Sequence, residues 1–399
     1  MRYRRFGKTN LHFSVFSLGT MRCLDSKEIA RQTVEQALAL GINHLETARG
    51  YGKSEEYLGA ALRSNLTVSR SQLYITTKIT PQPDPDLIRR YIDESLERLG
   101  LDYIDCLAIH GINSWEHLNW VENGCIQAVR QAVDRGKIHH VGFSTHGPLD
   151  LILAAINTDF FEFVNLHYYY FFQRNAAAIE LAHQKDMGVF IISPADKGGR
   201  LYAPPPTLKD LCYPLSPLEL GYRFLLSDRR ITTLSIGAAN RSELTAVLGS
   251  DIQDSDRQPA NSSINPGIIP QNQGIADRDS PLTTLELEIL DRLKAHQSQV
   301  LGTDQCSQCY ACLPCPENIN IPEVLRLRNL AVACDMNEYA KYRYRMFENA
   351  GHWFPGVKAN RCTECGECLP RCPEKLDIPN LLQDAHQQLN GAAGRRLWE

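Results

Sequence analysis

A short apolar run followed by a segment of helical periodicity recurs eight times between residues 15 and 248. The apolar runs fall at 15–20, 44–48, 73–78, 103–110, 139–145, 161–168, 188–194 and 231–238. Helical spacing occupies 27–40, 54–63, 85–99, 126–135, 148–157, 175–185, 217–227 and 240–248. Gly41, Gly100 and Gly136 stop three of these helices as C-caps. Strands alternating with helices pair in parallel through right-handed crossovers. Eight such units suit a closed (β/α)8 barrel. An open doubly wound sheet is the alternative, and it would carry a glycine-rich phosphate loop after the first strand. Here the first strand runs into Leu18-Gly19-Thr20-Met21-Arg22, with no such loop. A hairpin over residues 2–14, turning at Gly7-Lys8-Thr9-Asn10, precedes the repeat.

The chain has 399 residues, more than one barrel of about 250 residues needs. The expected division is a barrel over 1–250, a polar linker or mobile loop over 251–280, and a second domain over 281–399. The linker is rich in Gln, Asn, Asp, Ser, Pro and Gly and lacks apolar periodicity. A helix over 281–299, with Leu282, Leu285, Ile289 and Leu293 on one face, leads into the second domain. The net charge of -4 gives no reason to expect nucleic acid or an anionic membrane as partner. The first ten residues, MRYRRFGKTN, lack the apolar core of a signal peptide. No run approaches the ~18 apolar residues of a membrane helix. A cytoplasmic location is therefore expected, and thirteen cysteines there do not read as a disulfide framework.

Catalytic groups of a barrel sit at the carboxyl ends of its strands. Glu46, Lys78 and His110 end the second, third and fourth expected strands, and Tyr51 lies in the turn after the second. A lysine ammonium beside a tyrosine favours the phenolate, and a carboxylate orients the lysine. A histidine can donate a hydrogen bond to a carbonyl oxygen. The set suits carbonyl reduction, with Tyr51 protonating the oxygen as hydride reaches the carbon. Taken singly, each residue also has a plain structural reading as a rim ion pair or a turn residue.

These residues resemble the aldo-keto reductase family, over roughly residues 1–249. The carriers are Gly41-Ile42-Asn43-His44-Leu45-Glu46-Thr47-Ala48 with Tyr51-Gly52, the strand end Ile75-Thr76-Thr77-Lys78, and Leu107-Ala108-Ile109-His110. The resemblance implies a Tyr51–Lys78–His110–carboxylate catalytic set and a nicotinamide cofactor, NADP(H) or else NAD(H). Glu46 departs from the family's usual aspartate by one methylene. The resemblance also implies cofactor contacts. Ser144 and Thr145, replacing a Ser-Asn pair, would meet the nicotinamide amide. Ser193, Lys197, Gly198, Gly199 and Arg200 would meet the pyrophosphate, and Gly237, Asn240 and Arg241 the adenosine end. Arg241 reads equally as a phosphate ligand or a solvated helix start. The block His167-Tyr168-Tyr169-Tyr170-Phe171-Phe172 reads as pocket lining, as core, or as a contact surface for the second domain.

Eight cysteines form a separate centre: Cys306, Cys309, Cys312 and Cys315-Pro316, then Cys362, Cys365, Cys368 and Cys372-Pro373. The second run has the bacterial ferredoxin spacing for a 4Fe–4S cluster, whose fourth cysteine commonly serves the other cluster. Zinc sites more usually set two CxxC pairs well apart. The runs repeat each other, with Cys315-Pro-Glu-Asn-Ile-Asn-Ile-Pro matching Cys372-Pro-Glu-Lys-Leu-Asp-Ile-Pro. Residues 321–348 between them look helical, with Arg326, Arg328, Lys341, Arg343 and Arg345 expected on a solvated face. Cys23, Cys106, Cys125, Cys212 and Cys334 read as ordinary core or surface residues.

The tail resembles helical ferredoxin domains, and the whole chain the iron–sulfur branch of the aldo-keto reductases. The expected fold class is thus a (β/α)8 TIM barrel followed by a small helical ferredoxin-like iron–sulfur domain. The expected function is reduction of a small-molecule aldehyde or ketone, with two 4Fe–4S clusters in the tail. The clusters would exchange electrons with a ferredoxin-like donor, sense redox state, or hold the tail folded. A non-catalytic nucleotide-binding sensor and a ferredoxin-linked electron carrier are the other readings.

Overall fold

The structure is a computed structural model; it describes residues 1–64, 66, 68–248, 275–277 and 280–394. Most of the expected 251–280 linker lies outside the described residues. By its internal contacts the chain forms two units. One is Met1–Tyr169, Asn175–Pro194 and Tyr222–Pro281; the other is Tyr170–Arg174, Ala195–Gly221 and Leu282–Glu399.

In the first unit, β1 (Tyr3–Arg5) and β2 (His12–Ser14) form an antiparallel hairpin. The eight strands β3 (Phe16–Gly19), β4 (His44–Glu46), β5 (Tyr74–Ile79), β6 (Ile104–His110), β7 (Ile138–Ser144), β8 (Phe163–Leu166), β9 (Gly188–Ile191) and β10 (Thr233–Gly237) follow. They close a barrel in sequence order, β10 pairing back onto β3. All the pairings in the barrel are parallel, and the closure of β10 onto β3 rules out the open-sheet alternative.

The barrel interior changes chemistry along its axis. The hairpin, bridged at Gly7 to Met187 just before β9, brings Phe6 and Phe13 to the amino-terminal end. Their rings stack at 4.4 Å and cluster with Cys106, Ala108, Phe163 and Phe190. A Cβ on Gly142 would come within 2.4 Å of the Phe163 ring, which is why glycine stands there. Beyond this apolar plug, Ser17 Oγ bonds His44 Nδ1 at 2.6 Å and Thr233 Oγ1 at 2.7 Å. His44 Nε2 reaches Thr76 Oγ1 at 2.7 Å. Two residues further along their strands stand Glu46 and Lys78. The interior thus runs from apolar to polar to charged, and its reactive end is the carboxyl rim.

The second unit is helical. Helix Thr284–Leu301 opens with a capping box between Thr283 and Glu286. The internal repeat shows in the caps of two later helices. Asn320 caps Ile321–Cys334 and Asp377 caps Ile378–Leu389, each followed by proline in the first turn.

The segment 321–348 differs from expectation in two ways. Asp335, with φ 55°, breaks it into Ile321–Cys334 and Asn337–Tyr344. Of the charges expected on a solvated face, Lys341 is exposed and Arg345 half-buried, but Arg326, Arg328 and Arg343 are only 6–8% exposed. Arg326 forks onto Glu323 at 2.6 and 2.8 Å and donates to the Phe171 carbonyl at 3.1 Å. Its guanidinium also lies 5.1 Å from the Phe172 ring centroid. Arg343 stacks over Phe354 at 4.3 Å, and Arg328 bonds Asp384. A planar guanidinium with a carboxylate fork and aromatic faces tolerates burial that a lone charge would not. Arg326→Ala strands the Glu323 carboxylate and is expected to cost ~3–5 kcal/mol of stability. Denaturant unfolding of the holoprotein measures it, and the double change Arg326→Met with Glu323→Leu should cost less.

Candidate functional site

The segment after β4 is laced to the rim by its backbone. Thr47 N bonds the Thr76 carbonyl at 2.8 Å and Arg49 N the Lys78 carbonyl at 3.0 Å. Ser54 Oγ bonds Thr47 Oγ1 at 2.8 Å and Thr20 Oγ1 at 2.6 Å. Gly52 takes φ 56°, a left-handed turn that glycine adopts without strain. Tyr51 is thereby carried back over the end of β5.

There Lys78 Nζ touches the Glu46 carboxylate, donates to the Thr47 carbonyl at 3.0 Å, and stands 3.4 Å from Tyr51 Oη. The His110 ring meets the Tyr51 ring edge-on, with centroids 5.5 Å apart and planes at 83°. All four residues expected from the sequence therefore converge. Lys78 is 1% and Glu46 4% exposed. The extra methylene of Glu46 does not part its carboxylate from Lys78. Gly19 stands in register beside Glu46, and a Cβ there would crowd Ser235 Oγ at 2.7 Å. Burial pulls the Lys78 ammonium well below the usual lysine pKa. The touching carboxylate is the countercharge that opposes this loss. Burial, with the Lys78 charge second, also lowers His44 to about 3, so His44 is neutral at any ordinary pH.

The expected cofactor residues fall in both units. Ser144 and Thr145 are buried, with hydroxyls engaged by backbone. Ser144 Oγ accepts from Gly111 N at 3.1 Å, and Thr145 Oγ1 donates to the Ile112 carbonyl at 2.6 Å. Gly237 ends β10, and its carbonyl accepts from Arg22 at 2.9 Å. Asn240 Oδ1 accepts from Ser242 N and Glu243 N at 3.0 and 3.1 Å, capping the helix that Arg241 begins. Arg241 is exposed. Ser193, with φ 53°, follows β9 in the first unit, whereas Lys197, Gly198, Gly199 and Arg200 belong to the second. The aromatic block is divided likewise: His167, Tyr168 and Tyr169 are buried in the barrel unit, and Tyr170–Arg174 belong to the other.

Sequence reasoning passed over Asn165. It is fully buried, and neither its Oδ1 nor its Nδ2 has a partner. His110, Ser144, Asn165 and Phe190 pair in register across β6 to β9 and so share the interior face. The alternation Phe163, Asn165, His167 along the sixth apolar run was the available signal.

In the second unit the cysteines of the two runs influence one another across the repeat. Burial chiefly raises the Cys306 thiol, and the cysteine charges it feels are those of Cys309 and Cys372. Burial lifts Cys312 to about 12, with Cys306 and Cys309 adding to it and Cys368 contributing less. Cys368, raised by burial, feels Cys362, Cys365 and Cys315. A small cavity is lined by Cys315, Cys362, Cys365 and Cys368. Cys309 and Cys365 are exposed. Among the described residues no three His, Cys, Asp or Glu side chains converge as around a single ion. The five remaining cysteines are all buried.

The first unit is thus a parallel eight-stranded barrel with a buried acid–lysine pair, a tyrosine and a histidine on its rim. The chain carries an aldo/keto reductase domain, matched by that family's model over residues 16–203, and a C-terminal 4Fe-4S dicluster domain, matched over 305–377. It is 31% identical over 209 residues to an aldo/keto reductase of Synechocystis, which covers 46% of this chain and 61% of that protein. It is 32% identical over 164 residues to L-glyceraldehyde 3-phosphate reductase of Escherichia coli, covering 37% and 46%. L-Galactose dehydrogenase of Arabidopsis thaliana is 33% identical over 166 residues, covering 39% and 51%. The chain thus spans between 46% and 61% of the length of these curated relatives. In fold it is similar to an aldo-keto reductase of Bacillus halodurans, with a TM-score of 0.59 at 21% identity over 73% of this chain and 96% of that one. No helix among the described residues is long and apolar enough to cross a membrane.

Proposed function

We propose that the barrel is an NADP(H)-dependent reductase of small aldehydes or ketones and that the tail holds two 4Fe–4S clusters. The observation that carries the reading is Lys78 Nζ, buried against Glu46 and 3.4 Å from Tyr51 Oη. An orphaned amide at Asn165, offering one donor and one acceptor, fits a nicotinamide carboxamide. Within the barrel unit, Ser144 and Thr145 would border that end of the cofactor, Ser193 its pyrophosphate, and Gly237, Asn240 and Arg241 its adenosine. NADP(H), when bound, supplies a hydride to the carbonyl carbon. Tyr51 gives its phenolic proton to the carbonyl oxygen as the π electrons move there. Lys78 stabilises the phenolate left behind, and Glu46 holds Lys78 charged and in place. His110, edge-on to Tyr51, orients the carbonyl oxygen by hydrogen bonding. Relatives named for L-glyceraldehyde 3-phosphate and L-galactose favour a small hydroxylated substrate.

The donor sets for the clusters are Cys306, Cys309, Cys312 and Cys372, and Cys362, Cys365, Cys368 and Cys315. Two runs of four cysteines, with Cys315, Cys362, Cys365 and Cys368 around one cavity, suit iron–sulfur ligation. Exposed Cys309 and Cys365 favour electron exchange with a ferredoxin-like partner, and reduced thiols in this number favour the cytoplasm. Anaerobically purified holoprotein is expected to consume NADPH in step with loss of an aldehyde or ketone from a broad panel. No consumption with any carbonyl, by a protein that binds NADPH, overturns the reading in favour of a nucleotide-binding sensor.

A further inference from the structure

The two cysteine runs repeat one backbone and differ in the side chains between the cysteines. Gln308 and Glu364 hold the same place, just before the second cysteine, and both are left-handed, at φ 60° and 55°. Tyr310 and Gly366 match just after it, at φ 65° and 75°. One shape of turn therefore serves both runs, and the side chains set them apart. The first run, Cys306-Ser307-Gln308-Cys309-Tyr310-Ala311-Cys312, carries no charged side chain between its cysteines. The second, Cys362-Thr363-Glu364-Cys365-Gly366-Glu367-Cys368, carries two carboxylates. Arg371 offsets Glu367 at 2.9 Å, whereas Glu364 is exposed and has no cationic partner among the described residues.

Gln308 turns its amide toward the ligand turn. Its Nε2 donates to the Pro322 carbonyl at 3.0 Å and to Cys306 Sγ at 3.3 Å. A carbonyl only accepts, so the nitrogen and not the oxygen of the amide must face Pro322. Its two hydrogens then serve the carbonyl and the sulfur. Oε1 is left buried with no partner. A glutamine held with its acceptor unmet is placed there for its donor. Asn329 steadies the same turn, Nδ2 donating to the Cys306 carbonyl at 3.1 Å. Among the described residues no side-chain donor reaches a sulfur of the second run.

Reducing a 4Fe–4S cluster adds one negative charge to it. A hydrogen bond to a ligand sulfur stabilises that charge and raises the potential, and a nearby carboxylate opposes it. We infer that the Gln308 amide sets the cluster of the Cys306 run at the higher reduction potential of the two, with Glu364 holding the other lower. The inference rests on the reading that the tail holds two 4Fe–4S clusters. An electron given to the tail by a one-electron donor then comes to rest on the first-run cluster. One electron leaves the reduced cluster of the second run and reduces that of the first, and no bond or proton moves with it.

The test is a potentiometric titration of anaerobic holoprotein with dithionite, followed by electron paramagnetic resonance. Wild type is expected to be reduced in two separate one-electron steps. Gln308→Leu is expected to lower the upper step alone, by roughly tenfold in the reduced-to-oxidised ratio at fixed potential, which is about 59 mV for one electron. Glu364→Gln, at an exposed and solvent-screened site, is expected to raise the lower step alone, by about threefold. Iron and sulfide content stays as in wild type in both. Gln308→Glu keeps the side chain's size and is measured if Gln308→Leu loses a cluster; with the donor gone and a carboxylate added, it lowers the upper step further. Reduction of both clusters at one potential in wild type overturns the inference alone. So does a Gln308 variant that moves the lower step or neither step. A wild-type protein that holds fewer than two clusters after anaerobic purification overturns the two-cluster reading as well.

Discussion

Tyr51→Phe is expected to lower the rate of NADPH-dependent carbonyl reduction by roughly 10²–10⁴-fold, the range for a single positioned proton donor. The substitution keeps the ring and therefore its edge-on contact with His110 at 5.5 Å. It removes only the oxygen that stands 3.4 Å from Lys78 Nζ. NADPH binding should persist, because Tyr51 is assigned to the proton and not to the nucleotide. Lys78→Met is a harsher change. It takes the partner from a carboxylate that is 4% exposed, so Glu46 must be protonated or exposed to solvent. A loss in Lys78→Met alone would therefore report damage to the rim as readily as chemistry. The informative comparison is single-turnover hydride transfer in Tyr51→Phe against its NADPH affinity. Turnover within a few-fold of wild type would remove the tyrosine from the chemistry. The barrel would then be read as a nucleotide-binding platform.

The rim was legible because Glu46 and His110 end their strands, Lys78 stands one residue from the end of its own, and Tyr51 follows β4. Period-2 and period-3.6 patterning locate strand ends, and a barrel brings those ends together whatever their distance in sequence. Glu46, Lys78 and His110 needed no knowledge of one another. Asn165 was harder, since one asparagine in VNLHYYY looks unremarkable until both of its amide atoms prove unpartnered. The arginines of the tail were misread for a related reason. Charge in a helix reads as solvent-facing, and the groups that bury Arg326 include Phe171 and Phe172, some 150 residues earlier in the chain. The loop at 195–200 shows the same limit. Its glycines and cations are visible in the sequence, but its attachment to Tyr339 is a long-range pairing that no local pattern encodes. Local rules thus found what each strand or motif decides alone and missed what two distant segments decide together.

The cysteine runs test that distinction, because spacing predicts the motif while only packing decides the fourth ligand. Cys372 is felt at Cys306, and Cys315 at Cys368. Cys315 also lines the cavity with Cys362, Cys365 and Cys368. The proposed crossed ligation would make the two motifs depend on each other. In anaerobic protein, Cys372→Ala is expected to drive iron from about eight atoms per chain toward about four, by loss of the cluster held by Cys306, Cys309 and Cys312. Cys312→Ala should remove the same cluster, so the double variant should hold about as much iron as either single one. Pairing Cys372→Ala with Cys368→Ala should instead empty both sites and destabilise the C-terminal unit, since its folding is coupled to the metal. Uncrossed ligation predicts the reverse: Cys372→Ala with Cys368→Ala would spare one cluster, and Cys372→Ala with Cys312→Ala would spare none. Iron and sulfide analysis of the three single variants and two doubles decides between them.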